Sequence, residues 1–167
     1  MAATAKHFPG IGGARLNTDD HRVSIPASRK RLERHLRPFR SAIAVGVPLV
    51  MASHALFPAY DRRRIASQSR ALLTGLLRGR LGYDGVVITD SIEAQAVVRG
   101  SSVAVAAERS IAAGADLVLA TGSASWKLIY PRLLRRARRS PAFRRRVEES
   151  AARVLRLKRR LGLRVPG

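Results

Sequence analysis

The stretch LLRGRLGYDGVVITDSIE, from Leu76 to Glu93, holds the features from which the rest of the chain is read. Its centre, Gly85 to Thr89 (GVVIT), is an apolar run dominated by β-branched residues. Continuity rather than alternation marks a strand covered on both faces of a parallel sheet. Ahead of it, Ala71, Leu72, Leu76 and Leu77 fall on one face of a helix expected over 66–81, with Gly82 as its stop. Directly behind it comes Asp90, a carboxylate carried by the carboxyl end of the strand. Helix, buried strand and polar terminus together make one unit of a parallel α/β fold.

The same unit recurs along the chain. Val47–Ser53 (VPLVMAS) and Ala115–Thr121 (ADLVLAT) are equally continuous apolar runs, and a short apolar lead enters Lys6. Between them the spacing predicts a helix over 28–45, with Leu32, Leu36, Phe39 and Ile43 on one face and Pro38 as a break or kink. A second, Ala-rich helix is expected over 102–113, ending at Gly114. Two more follow the last strand, over 124–138 and 141–161, the latter with Ser140 as N-cap and Pro141 in the first turn. The expected fold is α/β with about four parallel βα units followed by C-terminal helices. Periodicity alone leaves a barrel and an open sheet as alternatives.

Composition narrows the chemistry. The 167 residues suit one domain with a substantial core, and the 46% hydrophobic content contains only 5% aromatics. No cysteine is present, and His7, His21, His35 and His54 form no His-x-x-x-His pair, so neither a metal nor another cofactor is expected. No apolar run reaches a membrane span, and no secretory leader is recognisable, which leaves the compartment open between cytoplasm and exterior. The formal net charge is +21, and Lys127–Arg160 alone carries fourteen Lys or Arg against two Glu. We read this as solvated helix faces. A nucleic-acid partner is not expected, because only Trp126, Tyr130 and Phe143 could stack on bases there.

Functional side chains of parallel α/β folds gather at the carboxyl ends of strands. Polar residues fall there in every unit: Lys6 and His7, Ser53 and His54, Asp90, and Thr121. Asp90 serves two readings, a reactive carboxylate and an N-cap for the stretch after Ser91. Lys6 and His7 are adjacent on a strand, so one faces inward and the other lies at the rim. The loop 10–21 holds three glycines, then Asn17, Asp19, Asp20 and His21, in the manner of a mobile lid. There the carboxylate of Asp19 could orient the His21 imidazole, or the segment could be a polar turn with an Asx bend.

Three motifs in fixed order carry a resemblance: KHFPG at Lys6–Gly10, VMASHALFPAYD at Val50–Asp61, and the opening stretch at Leu76–Glu93, continued by AAGADLVLATG at Ala112–Gly122. They resemble the second half of the catalytic barrel of glycoside hydrolase family 3, in its β-N-acetylhexosaminidase branch. The resemblance covers residues 1–122 and leaves 123–167 as a basic helical tail. It implies the C-terminal half of a TIM (β/α)8 barrel, a carbohydrate substrate, and retaining hydrolysis of terminal β-linked N-acetylglucosamine from peptidoglycan- or chitin-type sugars. It also implies Asp90 as nucleophile, His21 as acid/base with Asp19 orienting it, Lys6 and His7 binding sugar hydroxyls, and His54 lining the pocket. Two departures stand out: Ile11 where the family commonly has His, and a longer loop before the Asp-x-His pair. An ungapped register places Asn17, Thr18 and Asp19 on that pair instead. The first four units of such a barrel are not in this sequence, so a truncated enzyme is expected, which would dimerise to cover its open edges if it folds alone. The alternatives are a β-glucosidase of the same family and an inactive remnant or basic module that binds anionic partners.

Overall fold

The computed structural model describes residues 1–165; the last two positions of the basic tail, 166 and 167, lie outside the described residues. Three strands, β1 (Thr4–Phe8), β2 (Leu49–Ala52) and β3 (Val86–Thr89), form a parallel sheet in the order β1-β2-β3. Register pairs Val50 with both Ala5 and Val87, and Ala52 with Phe8 and Thr89. Between Lys6 and Phe8 the register shifts, leaving His7 as an extra residue in β1.

Ala115–Thr121, expected as a fourth strand, lies beside β3 but joins it by a single parallel bridge, Ile88 to Leu117. The ladder stops because side chains claim the next backbone groups. The Leu119 N–H donates to the Thr89 hydroxyl at 3.1 Å, and the Thr121 N–H to the Glu93 carboxylate at 3.1 Å.

The helix expected over 28–45 is two helices, α1 (Arg29–His35) and α2 (Arg37–Ala44). Pro38 is the cause: it fits only the first turn of a helix, so the chain restarts at Leu36. The stretch 66–81 is likewise divided into a 3₁₀ turn, Ala66–Gln68, and a wide helix, Ala71–Arg80, whose Leu81 N–H reaches back to the Leu76 carbonyl at 2.9 Å. At the division Ser69 is extended and its hydroxyl donates to Asp61 Oδ2 at 2.8 Å. Helix α3 (Gln95–Val98) is a single turn that periodicity does not reveal, whereas α4 (Val103–Ala113), α5 (Ser125–Arg139) and α6 (Pro141–Arg160) lie close to their expected spans. Ser102 and Ser140 cap α4 and α6 by accepting from Val105 N–H and Phe143 N–H.

The core lies on one face of the sheet. Val50, Ala52 and Val87 pack with Phe8, Leu32, Leu36, Phe39, Leu72 and Leu73, and the Phe8 and Phe39 rings meet edge to face at 5.2 Å. A second cluster joins Ile92 and Val97 to Ala106 and Ala107 of α4 and Ile129 of α5. The opposite face of the sheet carries Val86, which is buried, Leu49, Met51 and Ile88, which are half-buried, and Thr4 and Lys6, which are exposed. The continuous apolar runs thus predict more cover on this second face than most of these residues have.

Asp116 ties the C-terminal helices to the sheet. Its side chain is fully buried, accepts from the Val87 N–H at 2.9 Å, and is paired with Arg78 of the wide helix and with Arg146 and Arg153 of α6. Among the described residues no helix is long and apolar enough to cross a membrane.

Candidate active site

Two strand ends bring the site together. Asp90 follows β3 directly, its N–H donating to the Ala52 carbonyl at 3.1 Å and its Oδ1 accepting from the Ser91 N–H at 2.9 Å. Those two bonds fix the backbone and one carboxylate oxygen. The other oxygen, Oδ2, lies 3.3 Å from His7 Nε2. The extra residue in β1 explains how His7 gets there, since a bulge redirects a side chain relative to the regular alternation of a strand. Both groups are about one-fifth to one-quarter exposed, 19% for Asp90 and 25% for His7, so the pair is open to a ligand on one side. Lys6 is exposed beside it.

Immediately after His7 the chain turns sharply. Gly10 has φ +114° and its N–H donates to the His7 carbonyl at 2.8 Å. A Cβ there would stand 2.8 Å from that of His35, so α1 packs against bare backbone at this point.

His54, expected in the pocket, is instead fully buried beneath it. Its Nε2 lies 2.9 Å from the Ser91 carbonyl and its Nδ1 2.7 Å from the Ser67 hydroxyl. A carbonyl only accepts, so Nε2 carries the proton and Nδ1 accepts from Ser67, which is the neutral tautomer. Burial lowers the pKa of His54, against the opposing pull of the Ser91 carbonyl and the nearby Asp90. With both ring nitrogens taken, His54 holds the residue after Asp90 in place and leaves no donor for a sugar.

Glu93 has a role that sequence inspection missed. It accepts from the Thr121 and Gly122 N–H groups, each at 3.1 Å, and from the Ser91 and Thr121 hydroxyls at 3.1 and 3.2 Å. Burial works against its charge, but the Ser125 hydroxyl and the two backbone donors outweigh it and lower the pKa to about 2. The carboxylate therefore pins the loop after β3 to the segment that follows Leu119. An acidic residue three positions after a strand-end Asp was the available signal.

The loop that carries Asp19 and His21 is exposed, and among the described residues no hydrogen bond joins the two side chains. Asn17 intervenes: its Oδ1 accepts from the Asp19 N–H at 3.1 Å and its Nδ2 donates to Asp19 Oδ2 at 3.3 Å. This is the Asx bend, and it engages one oxygen of the carboxylate that was expected to orient His21. The loop is nevertheless tied to the segment that follows Asp90, because the Thr18 and Asp19 carbonyls accept from the Ala96 and Gln95 N–H groups at the start of α3.

Comparisons with known proteins bear on the family and the fold. The chain superposes on a glycoside hydrolase family 3 β-N-acetylglucosaminidase from Paenibacillus with a TM-score of 0.90 and 38% identity, over 99% of this chain and 32% of that one. It is 34% identical to a β-N-acetylglucosaminidase/β-glucosidase of Cellulomonas fimi, over 98% of this chain and 30% of the relative. A β-hexosaminidase of Bordetella pertussis is 36% identical over 71% of this chain and 34% of its own length. The chain thus spans about a third of the length of each. The family model described as the glycosyl hydrolase family 3 N-terminal domain matches residues 1–157. Motif order, the parallel sheet and the match over nearly the whole sequence lead to one conclusion: the chain belongs to glycosyl hydrolase family 3.

Proposed function

We propose that this chain carries the nucleophile side of a retaining glycosidase that removes terminal β-linked N-acetylglucosamine from peptidoglycan- or chitin-type sugars. The observation that supports it best is the Asp90–His7 pair, in which a partly exposed carboxylate at the end of β3 meets an imidazole from the end of β1. In this reading Asp90 Oδ2 attacks the anomeric carbon, the leaving oxygen departs with a proton, and water later releases the sugar from the ester. His7 donates to Asp90 or to a sugar hydroxyl, and the exposed Lys6 contributes a second donor. His21 supplies the proton once a bound sugar draws the loop inward and frees Asp19 from Asn17, since catalytic contacts commonly tighten only on binding.

The sheet is read here as the C-terminal half of an eight-stranded barrel over 1–122, with 123–167 as a basic helical tail. The half-covered face bearing Leu49, Met51 and Ile88 supports that, because it corresponds to a barrel interior awaiting further side chains. A second copy covering the open edge of β1 would supply such cover. The separation of Asp19 from His21 favours a second reading, an inactive remnant of such an enzyme.

Hydrolysis of a chromogenic aryl β-N-acetylglucosaminide and of the matching β-glucoside by the purified chain, beside its Asp90→Asn variant, tests the proposal. Faster release from the N-acetylglucosaminide, lost in the variant, is the expected result. Faster release from the glucoside moves the assignment to β-glucosidase. Equal rates in Asp90→Asn overturn the nucleophile, and no release from a folded chain selects the remnant.

A further inference from the structure

At the other end of the sheet lies a cluster with more positive charge than its surroundings balance. Arg78, Arg146 and Arg153 share the single buried carboxylate of Asp116. Arg146 has a second partner in Glu149 at 3.0 Å, and spare donors of Arg78 and Arg146 go to the carbonyls of Tyr83, Gly85, Gly114 and Ala115. Arg153 Nη1 lies 3.5 Å from Asp116 Oδ1 and its Nε 3.8 Å from Asp84 Oδ1, ion pairs without hydrogen-bond geometry, and Arg78 Nε is buried without an acceptor. Those atoms are closed to solvent, but the Arg78, Arg146 and Arg153 side chains keep 14%, 15% and 19% of their surface exposed, and an anion in the cavity would meet them through that part. Burial is the main cause that lowers the pKa of Arg78, with Arg153 and Arg146 adding to it against the pull of Asp116.

A cavity of about 480 Å³ opens over this cluster, and its walls include Arg70, Arg136 and Arg145 as well as the three arginines at its base. Arg70 and Arg145 have no carboxylate partner among the described residues, whereas Arg136 sits 3.8 Å from Glu108. Ser140, which caps the twenty-residue helix α6, is part of the same wall, so the positive end of that helix adds to the field. Glu149 is the one acidic residue of the lining. The cavity is remote from Asp90: Arg78 bonds the carbonyl of Gly85, just before β3, and Asp90 comes just after it, a strand length of roughly 13 Å away.

We propose that this cavity binds a small phosphorylated molecule through its phosphomonoester group. Guanidinium forks match the oxygens of a dianion, and forks from several arginines convert a charge excess into directed bonds. The volume lies in the range of ligand pockets and leaves space for a substituent against Ala112 and Phe143. A concave site with buried donors suits a compact anion better than a nucleic-acid backbone, which is gripped along an extended surface.

Calorimetric titration of the full chain with inorganic phosphate and with phenyl phosphate, at ionic strength held constant with chloride, tests this. The variants are Arg70→Ala/Arg145→Ala, both exposed at the rim, and Arg15→Ala/Arg31→Ala, which removes equal charge from the lining of a separate pocket. Saturable one-to-one binding of phenyl phosphate, weakened at least about tenfold in the rim variant and unchanged in the distant one, is expected. No binding beyond the chloride control, or equal weakening in both variants, overturns the site. So does a short DNA duplex that loses affinity in the rim variant while phenyl phosphate fails to displace it.

Discussion

His7 Nε2 and Asp90 Oδ2 stand 3.3 Å apart, at the ends of two strands that are not neighbours, with β2 between them. The bulge in β1 makes that reach possible. His7→Ala should therefore lower kcat/KM on the aryl N-acetylglucosaminide by about 10²-fold through loss of positioning. Its melting temperature should stay near wild type, because the His7 side chain is a quarter exposed and packs no core. Steady-state kinetics beside a thermal melt separate the two effects, and a variant that melts early with normal turnover per folded molecule refutes the assignment.

His54→Ala should act in the opposite way, on stability. It leaves the Ser67 hydroxyl and the Ser91 carbonyl without a partner in the interior, a loss of about 2–4 kcal/mol. The wild type should also weaken in mild acid. The folded state holds His54 neutral and lowers its pKa, so the unfolded chain binds more protons once pH falls below about 6.5, the ordinary value. Stability from this group is whole above that pH and declines below it. Urea melts between pH 7.5 and 5.5 check the slope, which should flatten in His54→Ala.

Glu93 gives a second, more acidic dependence. Its pKa falls to about 2 in the folded state, so its contribution is complete above about 4.5 and disappears as pH drops towards 2. Because Glu93 is only half-buried, solvent screening reduces the effect to on the order of 1 kcal/mol. Glu93→Gln should remove that acid transition and loosen the loop after β3. Denaturant melts between pH 5 and 3 report the first, and a raised KM reports the second.

Asp116→Asn should be the most damaging single change. It leaves Arg78, Arg146 and Arg153 buried around a neutral group, at a cost of about 3–5 kcal/mol. A double change to Asp116→Asn with Arg153→Met should recover part of the loss, and a double variant that melts below the single one contradicts the account.

How far the sequence anticipates this structure differs from element to element. The strands under Val50 and Val87, the capped helices α4 and α6, and the carboxylate after β3 are written locally, in apolar runs, Ser caps and one Asp. What escaped depends on partners distant in the chain. Ala115–Thr121 reads as a strand, yet Thr89 and Glu93 divert its backbone bonds. His54 sits at a strand end like a ligand-binding residue, and only Ser67 and Ser91 reveal it as a buried brace. Asp19 and His21 have the spacing of a dyad, and the neighbouring Asn17 captures the carboxylate first. Asp116 looked like one polar letter in an apolar run, and its three arginines come from two different helices.

The carbonyls of Thr18 and Asp19 accept from Ala96 and Gln95, so the segment bearing His21 is buttoned to the turn that follows Asp90. Those two amides are consequently built-in reporters. Their protons exchange with solvent only when the button is undone, so their exchange rates count how often the His21 loop lifts away, without any label or substrate. A ligand that draws the loop onto Asp90 would slow both amides together, while one that merely fills space nearby would leave them ticking at the same rate.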